Sequence, residues 1–270
     1  MLLDLQELGE LILLIKKQFG IDLSEYAKSS LQRRFHHLSV LNGLSSKPQL
    51  FEFIKNQTSK NSLVEKITVS TTEMFRDPGF WSFLRDDVLK TLAEKDSVSI
   101  WHLACSSGEE VVSMNILLQE TGMHKKSKVL ASDLNAYLLL KSEKAIYPER
   151  KLQTYKSNYS KIFEGGGFDS YFETDEHKQF RFKRNFLKQT DFSVFDLVLD
   201  HSNAKFDLIL CRNVMIYFNA DLQARVLQKL CDCLNPGGFL ALGKNESILK
   251  SKAQNDLVPY HPSENIYRVY

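Results

Sequence analysis

Cysteine is scarce in this 270-residue chain, and the four present, Cys105, Cys211, Cys231 and Cys233, form no CxxC pair. That spacing excludes a zinc site of the usual kind and a disulfide framework, and it fits a reducing compartment; no metal ligand set is expected. Long apolar runs are missing too. The amino terminus is rich in leucine, but Asp4, Glu7 and Glu10 interrupt it and its longest unbroken run spans 11–15. Neither a spanning helix nor a signal peptide fits that pattern, so the expectation is a cytoplasmic protein without membrane insertion. An excess of one charge is also absent, with 35 basic against 33 acidic residues. No global field calls for nucleic acid, and no aromatic-basic stripe supports it. Glycine is thin where a dinucleotide fold would need it, because no GxGxxG occurs.

What is present can fill a core. Hydrophobic residues make up 43% of the chain, enough for one large domain or a large one with a small companion. Residues 1–69 show helical periodicity and no convincing strand. Leu8, Leu11, Ile12 and Ile15 share one face, and Gly20 suits a helix stop. In the next helix Ala27, Leu31, Phe35 and Leu38 share a face, while Arg33, His36 and His37 project oppositely with Arg34 on the flank. No acid occurs from Lys28 to His37. This basic stretch reads either as a solvated face or as a docking surface for an acidic partner helix. Residues 70–96 then form a linker or cleft wall carrying Ser70, Thr72, Glu73, Arg76 and Asp77, with Pro78 and Gly79 as punctuation before a helix. If the segment is only a linker, Asp77-Pro78 is expected simply to cap that helix.

From 97 to 270 the texture is alternating strand and helix. VSIWHLA (98–104) reads as a strand, CSSGEE as a turn, 111–121 as a helix, and VLASDL (129–134) as a second strand. This order is the first half of a nucleotide-binding α/β fold. Residues of about 150–190 break the pattern, with GGG at 165–167 and two possible short strands, and read as an inserted β-subdomain. FDLIL (206–210) has the composition of a buried strand, so Arg212, Asn213 and Tyr217 of CRNVMIYF (211–218) fall where a parallel sheet binds ligands. A helix over 221–234, a turn at Pro236-Gly237-Gly238 and strands at FLALG and 266–270 complete the chain.

The glycine turn discriminates between ligands. Gly108 stands alone and is followed at once by Glu109 and Glu110. Two carboxylates where two phosphates would lie are costly, which argues against NAD. S-adenosylmethionine has no phosphate and carries an ammonium and a sulfonium, so acids there would attract it, and Asp133 would accept from its ribose. Complementarity to the helix dipole accounts for the two glutamates equally well in isolation.

CRNVMIYF, ACSSGEE (104–110), TTEMFRDP (71–78), SDLN (132–135) and NPGGFLALGKNES (235–247) together resemble the CheR-type chemotaxis methyltransferases. The resemblance covers nearly the whole chain. It implies a Rossmann-like S-adenosylmethionine-dependent methyltransferase sheet behind an all-helical amino-terminal domain that docks on receptors. It also implies methyl transfer to glutamates on the cytoplasmic helices of a chemotaxis receptor, with S-adenosylhomocysteine as product and a monomer as the working unit.

Position by position, the resemblance implies that Ser70, Thr72 and Arg76 form a cofactor-contacting loop. Arg76 would also hold the substrate near the methyl, beside Tyr217. Glu109 would take the methionine end, Asp133 the ribose, and Arg212 with Asn213 the cleft floor. Phe186 and Leu187 would meet the adenine side, where Phe186 stacks on the base or crowds it. Lys28, Arg33, Arg34 and His37 would dock the receptor, and Gly165 to Gly167 would either grip a receptor tail, as a glycine loop does in some members, or form a flexible turn. Ser70, Ala104 and Phe186 depart from the family's usual Asn, Gly and Asn. Those departures favour the other reading of the same fold, a non-catalytic module that binds S-adenosylmethionine or docks a signalling helix.

Overall fold

The structure, a computed structural model, describes residues 3–67, 72–174, 179–248 and 256–269. Helices α1 (Leu5–Phe19), α2 (Lys28–Leu41), α3 (Lys47–Lys55) and α4 (Lys60–Ile67) form the amino-terminal bundle. Its core joins Leu8, Leu11, Ile12 and Ile15 of α1 to Leu31, Phe35 and Leu38 of α2, so the expected helix faces are the packed ones. Burying each such side chain stabilises by about 1.5–3 kcal/mol. Gly20 ends α1 in the left-handed conformation, with its N–H on the Lys16 carbonyl.

Helix α5 (Pro78–Phe83) runs through one wide π turn (Leu84–Val88) into α6 (Leu89–Leu92). Asp77 precedes it with φ 59° and makes no side-chain cap bond. The expected cap is therefore corrected: the Asp77 carboxylate accepts from Arg212 instead, at 2.8 Å.

Strand β1 (Val98–Leu103), helix α7 (Glu109–Glu120), strand β2 (Ser127–Asp133) and helix α8 (Ala136–Lys144) give the anticipated α/β start. Next come β3 (Ile146–Pro148), α9 (Leu152–Ser160), β4 (Phe172–Thr174) and β5 (Gln179–Phe182), then β6 (Thr190–Val194) and β7 (Phe206–Cys211). Helix α10 (Ala220–Asp232) and strands β8 (Leu234–Leu242), β9 (Leu257–His261) and β10 (Ile266–Val269) close the described chain.

Seven of these strands form one sheet in the order β6-β2-β1-β7-β8-β10-β9. The first five run parallel, β10 pairs antiparallel with β8, and β9 pairs antiparallel with β10. β7 is buried at every position, as a central parallel strand covered on both faces should be. The chain moves outward from β1 through β2 to β6, then returns to β7 and moves the other way. The crevice between β1 and β7 is thus the topological switch point, where ligands bind at the carboxyl ends of strands.

The insertion holds a small antiparallel sheet, β3-β5-β4, packed with α9. Gly165, Gly166 and Gly167 all have positive φ in the turn before the 3-10 segment Phe168–Tyr171. Pro236-Gly237-Gly238 forms no turn between elements. It is an irregularity within β8, where the three residues Phe206 to Leu208 of β7 face the six from Leu234 to Phe239 of β8, a bulge that accommodates proline's missing N–H.

Candidate active site

A cavity of about 470 Å³ opens at the carboxyl ends of β1, β2, β6 and β7 and is roofed by α2 and α4. The link between α1 and α2 bolts this roof to the CRNVMIYF segment. Ala27 N–H donates to the Tyr217 carbonyl at 2.8 Å, Asn219 N–H to the Glu25 carbonyl at 2.8 Å, and the Tyr26 and Phe218 rings meet edge to face at 5.1 Å. An ion pair between Arg225 and Glu25 lies beside them. The roof and the segment carrying Tyr217 therefore share a backbone frame.

Thr72, Arg76, Asp133, Arg212, Asn213 and Tyr217 all line this one cavity. Arg33, Arg34 and His37 line it as well. The basic side of α2 thus faces the cleft at three of its positions, while Lys28 turns back to the Ser24 carbonyl and stands apart. Ser70 lies outside the described residues.

Three expected contacts are corrected. Glu109 is fully buried, and its carboxylate accepts from Ser107 Oγ at 2.6 Å, Lys151 Nζ at 2.9 Å and Tyr155 OH at 3.0 Å. Its neighbour Glu110 lines the cavity instead. The register follows from Gly108, where a Cβ would lie 2.2 Å from Ser142 Oγ and 2.8 Å from Ser142 Cα. That close approach of α7 to α8 fixes the rotation of α7, and one residue further along a helix is a turn of about 100°.

Phe186 and Leu187 are likewise not at the cavity. They precede β6, at its amino end, and Phe186 packs against Phe182, Tyr171 and His124. Ligands of a parallel strand lie at its carboxyl end, and there Phe195, Asp196, Leu197 and Val198 line the wall. A strand signal in TDFSV would have placed them.

Arg212 is a strut. Its side chain is 2% exposed, it bonds Asp77 at 2.8 Å and Glu110 at 3.0 Å, and its guanidinium lies 4.0 Å from the Phe80 ring centroid. Two carboxylates already occupy it, so its charge ties the 72–77 loop to α7. Burial by itself pushes the Glu110 carboxyl up, but a hydrogen bond to His102 and the Arg212 charge outweigh it and hold the group below its ordinary range. Asp133 differs. Burial pushes its carboxyl up, although the amides of Asn135 and Ser106, each at 2.8 Å, pull the other way.

The loop after β7 is shaped by a residue that the sequence did not single out. Glu246, 6% exposed, accepts from four backbone amides: Asn213 at 2.8 Å, Val214 at 2.9 Å, Met215 at 2.7 Å and Gly243 at 2.6 Å. Asn213, whose amide is held in this clamp, has a left-handed backbone with φ 62°. Phe75, Asp77, Ala104 and Ser106 also have φ between 53° and 59°. Such strain costs about 1–3 kcal/mol per residue and gathers at functional sites. Ser106 Oγ is buried at the cavity wall without a hydrogen-bond partner.

The residues present fit S-adenosylmethionine by their chemistry: ionised Glu110 suits an ammonium, and Asp133 suits hydroxyl donors. Among the described residues no helix is long and apolar enough to cross a membrane. Comparison with known proteins points the same way. Residues 70–262 match the family model described as "CheR methyltransferase, SAM binding domain", and residues 6–68 match "CheR methyltransferase, all-alpha domain". A chemotaxis protein methyltransferase of Borreliella burgdorferi is 30% identical, covering 94% of this chain and 92% of its own. One of Listeria innocua is also 30% identical over 87% of each chain. With both domains matched, this chain belongs to the CheR methyltransferase family and takes S-adenosylmethionine as its cofactor.

Proposed function

We propose that this chain transfers a methyl group to glutamate side chains on the cytoplasmic helices of a chemotaxis receptor, giving methyl esters and S-adenosylhomocysteine. The observation that carries the reading is the division of charge around one cavity. Glu110, Asp133 and Asp196 come from the sheet edge, where Arg212 is already paired with Glu110 and Asp77, while Arg76 of the cleft wall, with Glu73 on the same loop, and Arg33, Arg34 and His37 of α2 come from the wall and roof. A cationic donor suits the first group and an anionic acceptor the second. When bound, S-adenosylmethionine supplies an electrophilic methyl carbon that a carboxylate oxygen displaces from sulfur.

In this reading Glu110 holds the ammonium, Asp133 the ribose hydroxyls, and the 195–198 segment the adenine side. Thr72 and Asn213 complete the polar wall. An acceptor glutamate has an ordinary pKa of about 4.3 and is ionised at neutral pH, so no general base is needed. Positioning carries the catalysis, and fixing the reacting groups can supply several kcal/mol. Arg76 steers the acceptor carboxylate and Tyr217 orients it by hydrogen bonding. Arg33, Arg34 and His37 draw an acidic receptor helix toward the mouth. Phe186, which favoured a non-catalytic module while it was expected at the base, packs elsewhere and leaves the wall clear.

The test is incubation of the chain with S-adenosylmethionine and a receptor cytoplasmic fragment, followed by peptide mass spectrometry. Methylated glutamates that revert on mild base treatment are expected. Cofactor binding with no base-labile ester on any receptor fragment would leave the non-catalytic module as the function.

A further inference from the structure

His102 lies below the cavity in β1 and has no exposed surface. Its Nδ1 is 2.9 Å from Glu110 Oε1. An ionised carboxylate only accepts, so Nδ1 carries the proton in this contact. Nε2 is buried without a hydrogen-bond partner, a loss of about 1–3 kcal/mol for a polar group shut away from water. The same side of β1 carries Val98 and Ile100 in an apolar core, where a leucine would pack without that loss. What the imidazole contributes here is its bond to Glu110. The second Glu110 oxygen accepts from Arg212 at 3.0 Å, so two donors fix the carboxylate from within the protein while it lines the cavity.

We infer that His102 is a positioning residue, whose Nδ1–H holds the Glu110 carboxylate in the orientation that meets the ammonium of the methyl donor. This rests on the proposed assignment of Glu110. An imidazole is stiffer than a water bridge, and each Glu110 oxygen keeps acceptor capacity beyond its internal bond. Without the histidine, Arg212 alone would restrain the carboxylate and draw it toward Asp77.

The test compares two ligands by calorimetry on the full chain. S-adenosylhomocysteine carries the amino-acid end, and 5′-methylthioadenosine shares its adenosine and thioether but lacks that end. His102→Leu is expected to weaken S-adenosylhomocysteine about tenfold or more while leaving methylthioadenosine within about twofold. His102→Asn, which returns an amide donor near the Nδ1 position, is expected to recover most of the affinity. Equal weakening of both ligands, or of neither, overturns the role of His102. Should His102→Leu lose its cooperative melting transition, His102→Asn and His102→Gln decide, since glutamine places its donor near Nε2; equal S-adenosylhomocysteine affinities in those two overturn the inference. Failure of the unaltered chain to bind S-adenosylhomocysteine would instead contradict the donor site itself.

Discussion

Arg76→Ala is expected to lower methyl transfer by about a thousandfold or more, while S-adenosylmethionine affinity stays within about tenfold. The asymmetry follows from where the two arginines of the cleft lie and what each holds in place. Arg212, at the end of the central strand β7, is occupied by Asp77 and Glu110. Its charge cannot be lent to a substrate without leaving two carboxylates uncompensated. Arg76 lies on the cavity wall and holds its own loop through its carbonyl, which accepts from Trp81 Nε1 at 2.9 Å. That bond persists when the side chain is removed, so the loop should keep its path and the donor its site. Single-turnover rates with radiolabelled methyl donor, measured beside calorimetric affinity, separate the two effects. Normal turnover in Arg76→Ala would remove this residue from the mechanism.

The second large effect is expected at Glu246. Its carboxylate meets the amides of Asn213, Val214, Met215 and Gly243. Truncation to alanine leaves four donors at a mostly buried site, each costing about 1–3 kcal/mol when unpaired. Water entering the gap and local relaxation reduce the sum, so the expected loss is roughly 3–5 kcal/mol. At about 2–4 °C per kcal/mol for a chain near this size, the Tm should fall by about 10 °C. Turnover should fall as well at temperatures where the variant is folded, because the loop carries both Arg212 and Tyr217. Glutamine in place of Glu246 can accept but also points an amide toward amides, and is expected to fall between the two. A Glu246→Ala melting curve that overlays the unaltered protein would mean that the loop holds its shape without the clamp.

The sheet was legible because its signals are local. FDLIL and VSIWHLA are apolar runs of strand length, and Asp133 at the end of VLASDL marks the ligand edge directly. The amino-terminal helices were legible for the same reason, through the spacing of Leu8, Leu11, Ile12 and Ile15. What escaped was set at long range. Which of Glu109 and Glu110 faces the cavity depends on how close α7 comes to Ser142, a residue more than thirty positions away. β6 lies at the sheet edge and is largely exposed along its length, and the alternation in TDFSV, with Phe192 and Val194 as its apolar positions, is too short to announce a strand by itself. The aromatic segment around Phe186 was read in its place. Helix α9 was hidden by its polar sequence, in which Tyr155 and Tyr159 bury their rings in the core and Asn158 donates to the Met74 carbonyl. Glu246 lay inside the quoted motif NPGGFLALGKNES, but an acid after a strand says nothing by itself of three amides from another loop and one from its own.

The proposed site turns on one carboxylate, and two substitutions separate it from its neighbour. Calorimetric titration with S-adenosylmethionine should show Glu110→Gln weakened by about tenfold or more, which is 1.4 kcal/mol or more. Glu109→Gln, whose side chain bonds Lys151, Tyr155 and Ser107 away from the cavity, should lose stability yet bind nearly normally while folded. The opposite ranking, with Glu109→Gln losing the donor and Glu110→Gln keeping it, would contradict this account of how the cofactor is held.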